Sequence, residues 1–246
     1  MTRLAEPPLL QAHRESIADG LYAAIASKDA ALSRTIAAYH LGLVDREGVR
    51  RTNESMVFAH ASLCLWAAHA CGGTTSQALA VALGVELLSR FVHVHQDISS
   101  GATFRDGRET VWAIWGVEQG VNGGDVLHSL ALSALTCGNA DPTVALRVFE
   151  RVGGASVEML NALVRDRDDL RTTLGRDGAL FGASLEAGAI VAGASDRTAA
   201  LLRRAGRAIG VDDAERARAL VEQANIEAVH IPALFEAARY LAKADS

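Results

Sequence analysis

The chain is poor in residues that break helices. Of its 246 residues only four are proline, at Pro7, Pro8, Pro142 and Pro232, so residues 9–141 contain none. Aromatic residues make up 5%, runs of β-branched residues are few, and alanine doublets recur (Ala23-Ala24, Ala67-Ala68, Ala237-Ala238). Alanine is the best helix former and β-branched residues favour strands, so the composition predicts an all-α chain. Basic residues are not in excess: 24 Lys and Arg against 29 Asp and Glu leave a net charge of −5, which argues against a nucleic-acid-binding face. Cysteine is scarce. Cys64, Cys71 and Cys137 lack the repeated spacing of a zinc site, and Cys64 and Cys71, seven apart, lie roughly 10 Å apart along a helix, too far for a disulfide. Buried thiols in a reducing cytoplasm are the expectation. The first sixteen residues scatter Arg3, Glu6, Arg14 and Glu15 and hold no apolar core, so no signal peptide is expected.

Charge is missing altogether between Glu54 and Glu86, a stretch long enough to raise the question of a membrane helix. His60, Ser62 and His69 interrupt its first half, and the run from Cys71 to Gln77 breaks it in the middle. Each half then has the length of a core helix, and small residues such as Ala67 and Ala80 suit close packing, so the stretch is read as soluble core with no membrane span. Apolar spacing predicts helices over residues 9–26, 29–40, 56–70, 76–95, 111–121 and 126–136. Thr75 or Ser76 is expected to cap the fourth. Asp141 and Pro142 start another helix as N-cap and first turn, residues 179–194 are again apolar, and the last two helices span 212–227 and 232–244. Residues 42–53 and 99–109 read as loops, and residues 165–169 as a solvated charge cluster. No Pro- or Ser-rich linker divides the chain, so residues 1–246 are expected to form one domain of about ten helices.

The most informative stretch is His93-Val94-His95-Gln96-Asp97-Ile98-Ser99-Ser100-Gly101, followed by Arg105, Gly107, Thr110-Val111-Trp112 and Gly124-Asp125-Val126-Leu127. Together with Gly178-Ala179-Leu180-Phe181 and Gly188-Ala189-Ile190-Val191-Ala192-Gly193, it resembles the trans-prenyl diphosphate synthase (polyprenyl synthetase) family over about residues 35–210. There a helix ends in His-Asp-Asp-x-x-Asp, an Arg-Arg-Gly-x-x-Thr-Val-Trp loop follows, and a Gly-Asp-x-Leu helix comes next. The resemblance implies an isoprenoid-synthase-like helical bundle around a central cavity, a dimer, and a prenyl diphosphate or other isoprenoid as ligand. It also implies two aspartate clusters holding Mg2+, which clamps the diphosphate as it leaves an allylic carbon.

The chain departs from that pattern at the chemistry. The outer members of the first aspartate motif, four apart on one helix face, are here Gln96 and Ser100; only Asp97 remains. The Gly-Lys-x-x-Arg-Pro stretch that binds isopentenyl diphosphate is replaced by Val57, Phe58, His60 and Ala61, and the second arginine of the loop by Asp106. Arg176 stands where the family has lysine. Asp212 and Asp213 follow Gly210 about five residues before the second aspartate motif is due, as a displaced metal pair or as a helix N-cap with its first turn. The candidates are therefore Asp97, His93 and His95 for catalysis, His93 and Asp97 sharing a face at i,i+4. Arg105, Gln96, Ser100, Asp125 and Arg176 are candidates for substrate contact, and Asp97, Asp212 and Asp213 for a metal. Mg2+ is the cofactor the resemblance implies, and the missing pair counts against it. Elongation is not expected, because a second diphosphate without Lys or Arg partners is poorly held. The resulting expectation is a non-elongating, terpene synthase-like enzyme acting on one allylic diphosphate. The alternative is a noncatalytic subunit that dimerises with a prenyl diphosphate synthase or binds an isoprenoid.

Overall fold

A computed structural model describes residues 5–26, 31–51, 56–136, 141–165 and 170–244, with side chains omitted at 31–33, 162–165, 170–177, 243 and 244. Its elements run α1 (Pro8–Gln11), α2 (Arg14–Ala26), α3 (Ala31–His40), α4 (Ala59–Ala70), α5 (Thr75–Ser100), the two-residue strands β1 (Phe104–Arg105) and β2 (Arg108–Glu109), then α6 (Val111–Trp115), α7 (Val117–Thr136), α8 (Pro142–Arg165), α9 (Leu170–Val191), α10 (Asp196–Gly210), α11 (Ala214–Gln223) and α12 (Ile231–Ala244). The all-α expectation holds, and the residues between α5 and α6 fold into a small antiparallel hairpin.

α5 is the central rod. Thr74 caps its start: the Thr74 hydroxyl accepts the Gln77 N–H, and the Gln77 side chain accepts the Thr74 N–H at 2.9 Å. Gly101, with φ of 71°, ends it in the left-handed conformation. The cap lies one residue before the expected pair, and the helix runs five residues past the expected end. α5 packs against α4, α7 and α9, and α9 in turn against α4, α8 and α10. One buried apolar cluster runs from Leu9 to Leu241. α5 is long and apolar enough to cross a membrane, but 78% of its most apolar stretch is buried among the other helices.

The expected break at Gly123-Gly124 is absent, and α7 runs through it. A Cβ on Gly123 would overlap the Ile36 side chain, and one on Gly124 would lie 2.5 Å from His95 Nε2. These glycines bring α7 close to α3 and α5 rather than ending a helix. The real break is Gly116, with φ of 87°, between α6 and α7. Residues 9–26, expected as one helix, are divided between α1 and α2. Asp141 caps α8 as expected, its carboxylate accepting the Thr143 N–H at 2.7 Å. The charge cluster at 166–169 lies outside the described residues.

Candidate functional site

The last two turns of α5 carry His93, His95, Gln96, Asp97 and Ser100. Beyond Gly101 the chain folds back through the hairpin, whose turn residues Asp106 and Gly107 both have positive φ (52° and 73°), the conformation two-residue hairpin turns require. The loop is pinned from below. Thr110 Oγ1 and Trp112 Nε1 both donate to the Ala102 carbonyl, at 2.9 and 2.7 Å. The Thr-Val-Trp run thus does a structural job, holding β1 so that Arg105 lies over the end of α5.

Arg105 reaches Asp97. Its Nε donates to Asp97 Oδ1 at 2.8 Å and its Nη2 lies 2.7 Å from the same oxygen, while Gln96 Oε1 accepts a longer bond at 3.4 Å. Asp97 is only 1% exposed, and its Oδ2 is enclosed without a hydrogen-bond partner. Burial pushes the Asp97 carboxyl above its usual range, and the Arg105 guanidinium opposes that shift. Beside the pair opens a cleft lined by Tyr39, His40, Arg90, Arg105, Arg108 and Thr110, among others, with a volume of about 30 Å3. That leaves room for about two water molecules, far below the 300 Å3 and more of an ordinary ligand pocket.

The histidine–carboxylate pair expected at i,i+4 is not made. Asp97 turns to Arg105, and His93 Nδ1 is enclosed without a partner. Burial, then Arg105 and Arg90, hold the His93 imidazole well below its usual range, so the ring stays neutral. His40 at the end of α3 is held down in the same way by burial and by Arg90, Arg105 and Arg108. His95 lies instead against α7, its Nε2 3.8 Å from Asp125 Oδ1, in the space the missing Gly124 side chain leaves. Ser100 Oγ is turned back to the Asp97 carbonyl at 3.4 Å.

The start of α4, where the resemblance expects cations for a second diphosphate, carries a buried carboxylate. Glu86 Oε2 accepts the His60 and Ala61 N–H groups, both at 3.1 Å, and Glu86 Oε1 accepts from Arg90 Nε at 2.9 Å. Arg90 Nη2 also donates to the Val57 carbonyl at 2.8 Å. Glu86 thus caps α4 and neutralises the nearest cation. Sequence reading did not pair Glu86 with Arg90, although their i,i+4 spacing on a helix was visible.

Between α10 and α11 Asp213 Oδ1 accepts the Arg216 N–H at 3.0 Å and caps α11, and Asp212 sits in the left-handed region with φ of 56°. The two aspartates therefore take up the cap alternative. The Arg176 side chain lies outside the described residues. Among the described residues no group of three or more His, Cys, Asp or Glu side chains is placed to hold a metal ion. The donor set of the first motif does not fit Mg2+. A hard divalent cation is held by several oxygens, whereas Asp97 is neutralised by Arg105 and Gln96 is engaged by the same arginine.

The polyprenyl synthetase family profile matches residues 59–212. A geranylgeranyl diphosphate synthase from Mycobacterium tuberculosis is 35% identical over 82% of this chain and 61% of its own length. A (2E,6E)-farnesyl diphosphate synthase from Mycobacterium bovis is 33% identical over 72% of this chain and 52% of its own. Among solved structures, a polyprenyl synthetase from Streptomyces coelicolor superposes with a TM-score of 0.72 at 29% identity, covering 82% of this chain and 62% of that one. The chain therefore spans between about half and three fifths of the length of these relatives.

Proposed function

Since this chain belongs to the polyprenyl synthetase family, we propose that it serves isoprenoid metabolism without elongating a prenyl chain, as a noncatalytic subunit that binds a catalytic prenyl diphosphate synthase. The ion pair between Asp97 and Arg105 carries this reading. In the family the carboxylates of the first motif hold the metal and the arginine of the following loop faces the diphosphate. Here the one remaining carboxylate of the motif and the arginine of the following loop pair with each other, so a metal or a diphosphate would have to compete with that ion pair. Two further features support it: the closed Glu86–Arg90 pair at the start of α4, where the resemblance expects cations open to a second diphosphate, and a cleft of about 30 Å3 beside Asp97. The relatives named as geranylgeranyl and farnesyl diphosphate synthases supply the class of partner.

The test has two arms. Purified chain is incubated with geranyl, farnesyl and geranylgeranyl diphosphate, with and without isopentenyl diphosphate and Mg2+, and products are read by mass spectrometry. It is also co-expressed with a geranylgeranyl diphosphate synthase, and the complex is isolated and its product lengths measured. The expected result is no product from the chain alone and a mixed oligomer with an altered product distribution. A Mg2+-dependent hydrocarbon or alcohol from the chain alone overturns the reading in favour of the terpene synthase-like enzyme. Failure to co-purify removes the subunit role.

A further inference from the structure

α8, α9 and α10 share an arginine cluster whose ends are paired and whose middle is not. α8 and α10 both pack on α9. Arg147, Arg151 and Glu158 fall on one face of α8, and Asp196, Arg203 and Arg207 on one face of α10. At the two ends Arg147 pairs with Asp196, and Arg207 Nη1 donates to Glu158 Oε1 at 2.9 Å. Between them Arg151 and Arg203 face Glu186 of α9, whose side chain is only 6% exposed. Glu186 Oε1 lies 3.7 Å from Arg151 Nε and Oε2 3.7 Å from Arg203 Nε, both beyond hydrogen-bond reach, and Oε2 and Arg203 Nε are enclosed without partners. Burial pushes the Glu186 carboxyl above its usual range, and Arg203, Arg151, Arg207 and Arg147 oppose the shift. None of these side chains lines the cleft beside Asp97.

The cluster asks two things of a ligand. Four guanidiniums against three carboxylates leave one positive charge, and Arg151 and Arg203 are half-exposed, with no hydrogen bond to any described residue. Their planar donors match the oxygens of a tetrahedral oxyanion. A fully deprotonated anion, however, meets the Glu186 carboxylate between the two arginines, and an ionised carboxylate only accepts. An oxyanion that keeps one O–H turns that repulsion into a hydrogen bond. Its bare oxygens accept from Arg151 and Arg203 while its hydroxyl donates to Glu186 Oε1. Hydrogen phosphate has this form, whereas sulfate has the same shape and charge and no proton to give. A phosphate monoester presents the same atoms only while it keeps its second proton, below about pH 6.

We propose that Arg151, Arg203 and Glu186 form a binding site for hydrogen phosphate, with the Arg147–Asp196 and Arg207–Glu158 pairs bracing α8 and α10 on either side of it. The site does not depend on the subunit role above.

Isothermal titration calorimetry of the full chain, in chloride buffer at pH 8 and constant ionic strength, tests it with inorganic phosphate, sulfate and methyl phosphate. Phosphate is expected to bind with a dissociation constant of about 1 mM or tighter, and sulfate at least about tenfold more weakly. Methyl phosphate, its O–H lost at pH 8, should follow sulfate there and match phosphate near pH 5. Arg151→Ala with Arg203→Ala should abolish phosphate binding and leave the helical circular dichroism spectrum unchanged. Glu186→Gln supplies an amide that donates as well as accepts, so sulfate should now bind within about threefold of phosphate. A merely structural Glu186 would not move that ratio, and the wild-type ratio stands as a test even if the variant fails to fold. No binding of phosphate, equal binding of phosphate and sulfate by the wild type, methyl phosphate as tight as phosphate at pH 8, or a folded Glu186→Gln variant that still rejects sulfate overturns the proposal.

Discussion

Arg105→Ala removes the one side chain that, among the described residues, pairs with Asp97, and the structure fixes what should follow. Asp97 is 1% exposed and its second oxygen already lacks a partner, so the variant leaves a buried carboxylate with no compensation. Removing one partner of a buried ion pair costs about 3–5 kcal/mol. The Arg105 side chain is 29% exposed, so water enters once it is gone, and the low end, about 3 kcal/mol at pH 8, is expected. The penalty depends on pH with a definite sign. Burial already raises the Asp97 carboxyl in the folded state, and losing Arg105 raises it further. A group with a raised folded pKa contributes stability that is present below its unfolded value and lost as pH rises through the folded value. The deficit of the variant against wild type is therefore largest at pH 8 and shrinks toward pH 5, by up to about 1.4 kcal/mol per pH unit once Asp97 begins to take up its proton. Urea titrations followed at 222 nm, run for both proteins at each pH, cancel the titration of every other group. Asp97→Asn in the Arg105→Ala background should recover most of the loss at pH 8. A deficit under about 0.5 kcal/mol at pH 8, the range of an ordinary surface substitution, or one that grows on acidification, refutes the reasoning.

Gly124→Ala places a methyl 2.5 Å from His95 Nε2, between two packed helices, and is expected to destabilise by about 1–3 kcal/mol in the same assay; an unchanged or raised midpoint would show that His95 moves aside freely. His60 is buried against Phe181, and its imidazole is lowered to about 4, chiefly by burial, so the proton favours the unfolded chain. Stability should fall as pH drops below about 6.5, losing about 2 kcal/mol by pH 5 from this residue, and His60→Asn should flatten that slope; an equal slope in the variant would assign the acid sensitivity elsewhere.

Much of the fold was legible because it rests on local chemistry. Low proline, abundant alanine and the 3.6-residue spacing of apolar positions gave the helices, and Asp141-Pro142 marked a start that the structure keeps. What the sequence misled on was glycine. Gly123-Gly124 looked like a break, yet both sit inside α7, because a missing Cβ serves close packing as well as turning, and only the neighbouring helix decides which. The site was legible as a set of positions but not as a set of contacts. Arg105, Asp97 and Gln96 were all named, yet their mutual pairing depends on how the Asp106-Gly107 turn aims β1, a geometry that spacing does not encode. Arg90 went unnoticed for a related reason: its partner Glu86 was read as part of an apolar helix, and the burial that makes their pairing matter is tertiary.

The departures from the family pattern make physical sense only together. Where the resemblance expects the outer aspartates stand Gln96 and Ser100, which carry no charge for a metal ion, and Asp97 between them is buried. Alone, that carboxylate would be a liability of several kcal/mol. Arg105, kept from the loop, discharges it, which gives the arginine a structural reason to persist after any diphosphate contact is lost. The start of α4 follows the same logic. With Val57 and Phe58 where the resemblance expects cations, the first N–H groups of the helix still need an acceptor, and Glu86 supplies it while Arg90 balances the charge. In both places charges that could face a ligand are closed on one another inside the protein. An enzyme that clamps a diphosphate needs the reverse, uncompensated charge held open toward the substrate. Restoring Asp at 96 and 100 alone should therefore not rebuild a metal site, since Arg105 would remain on Asp97.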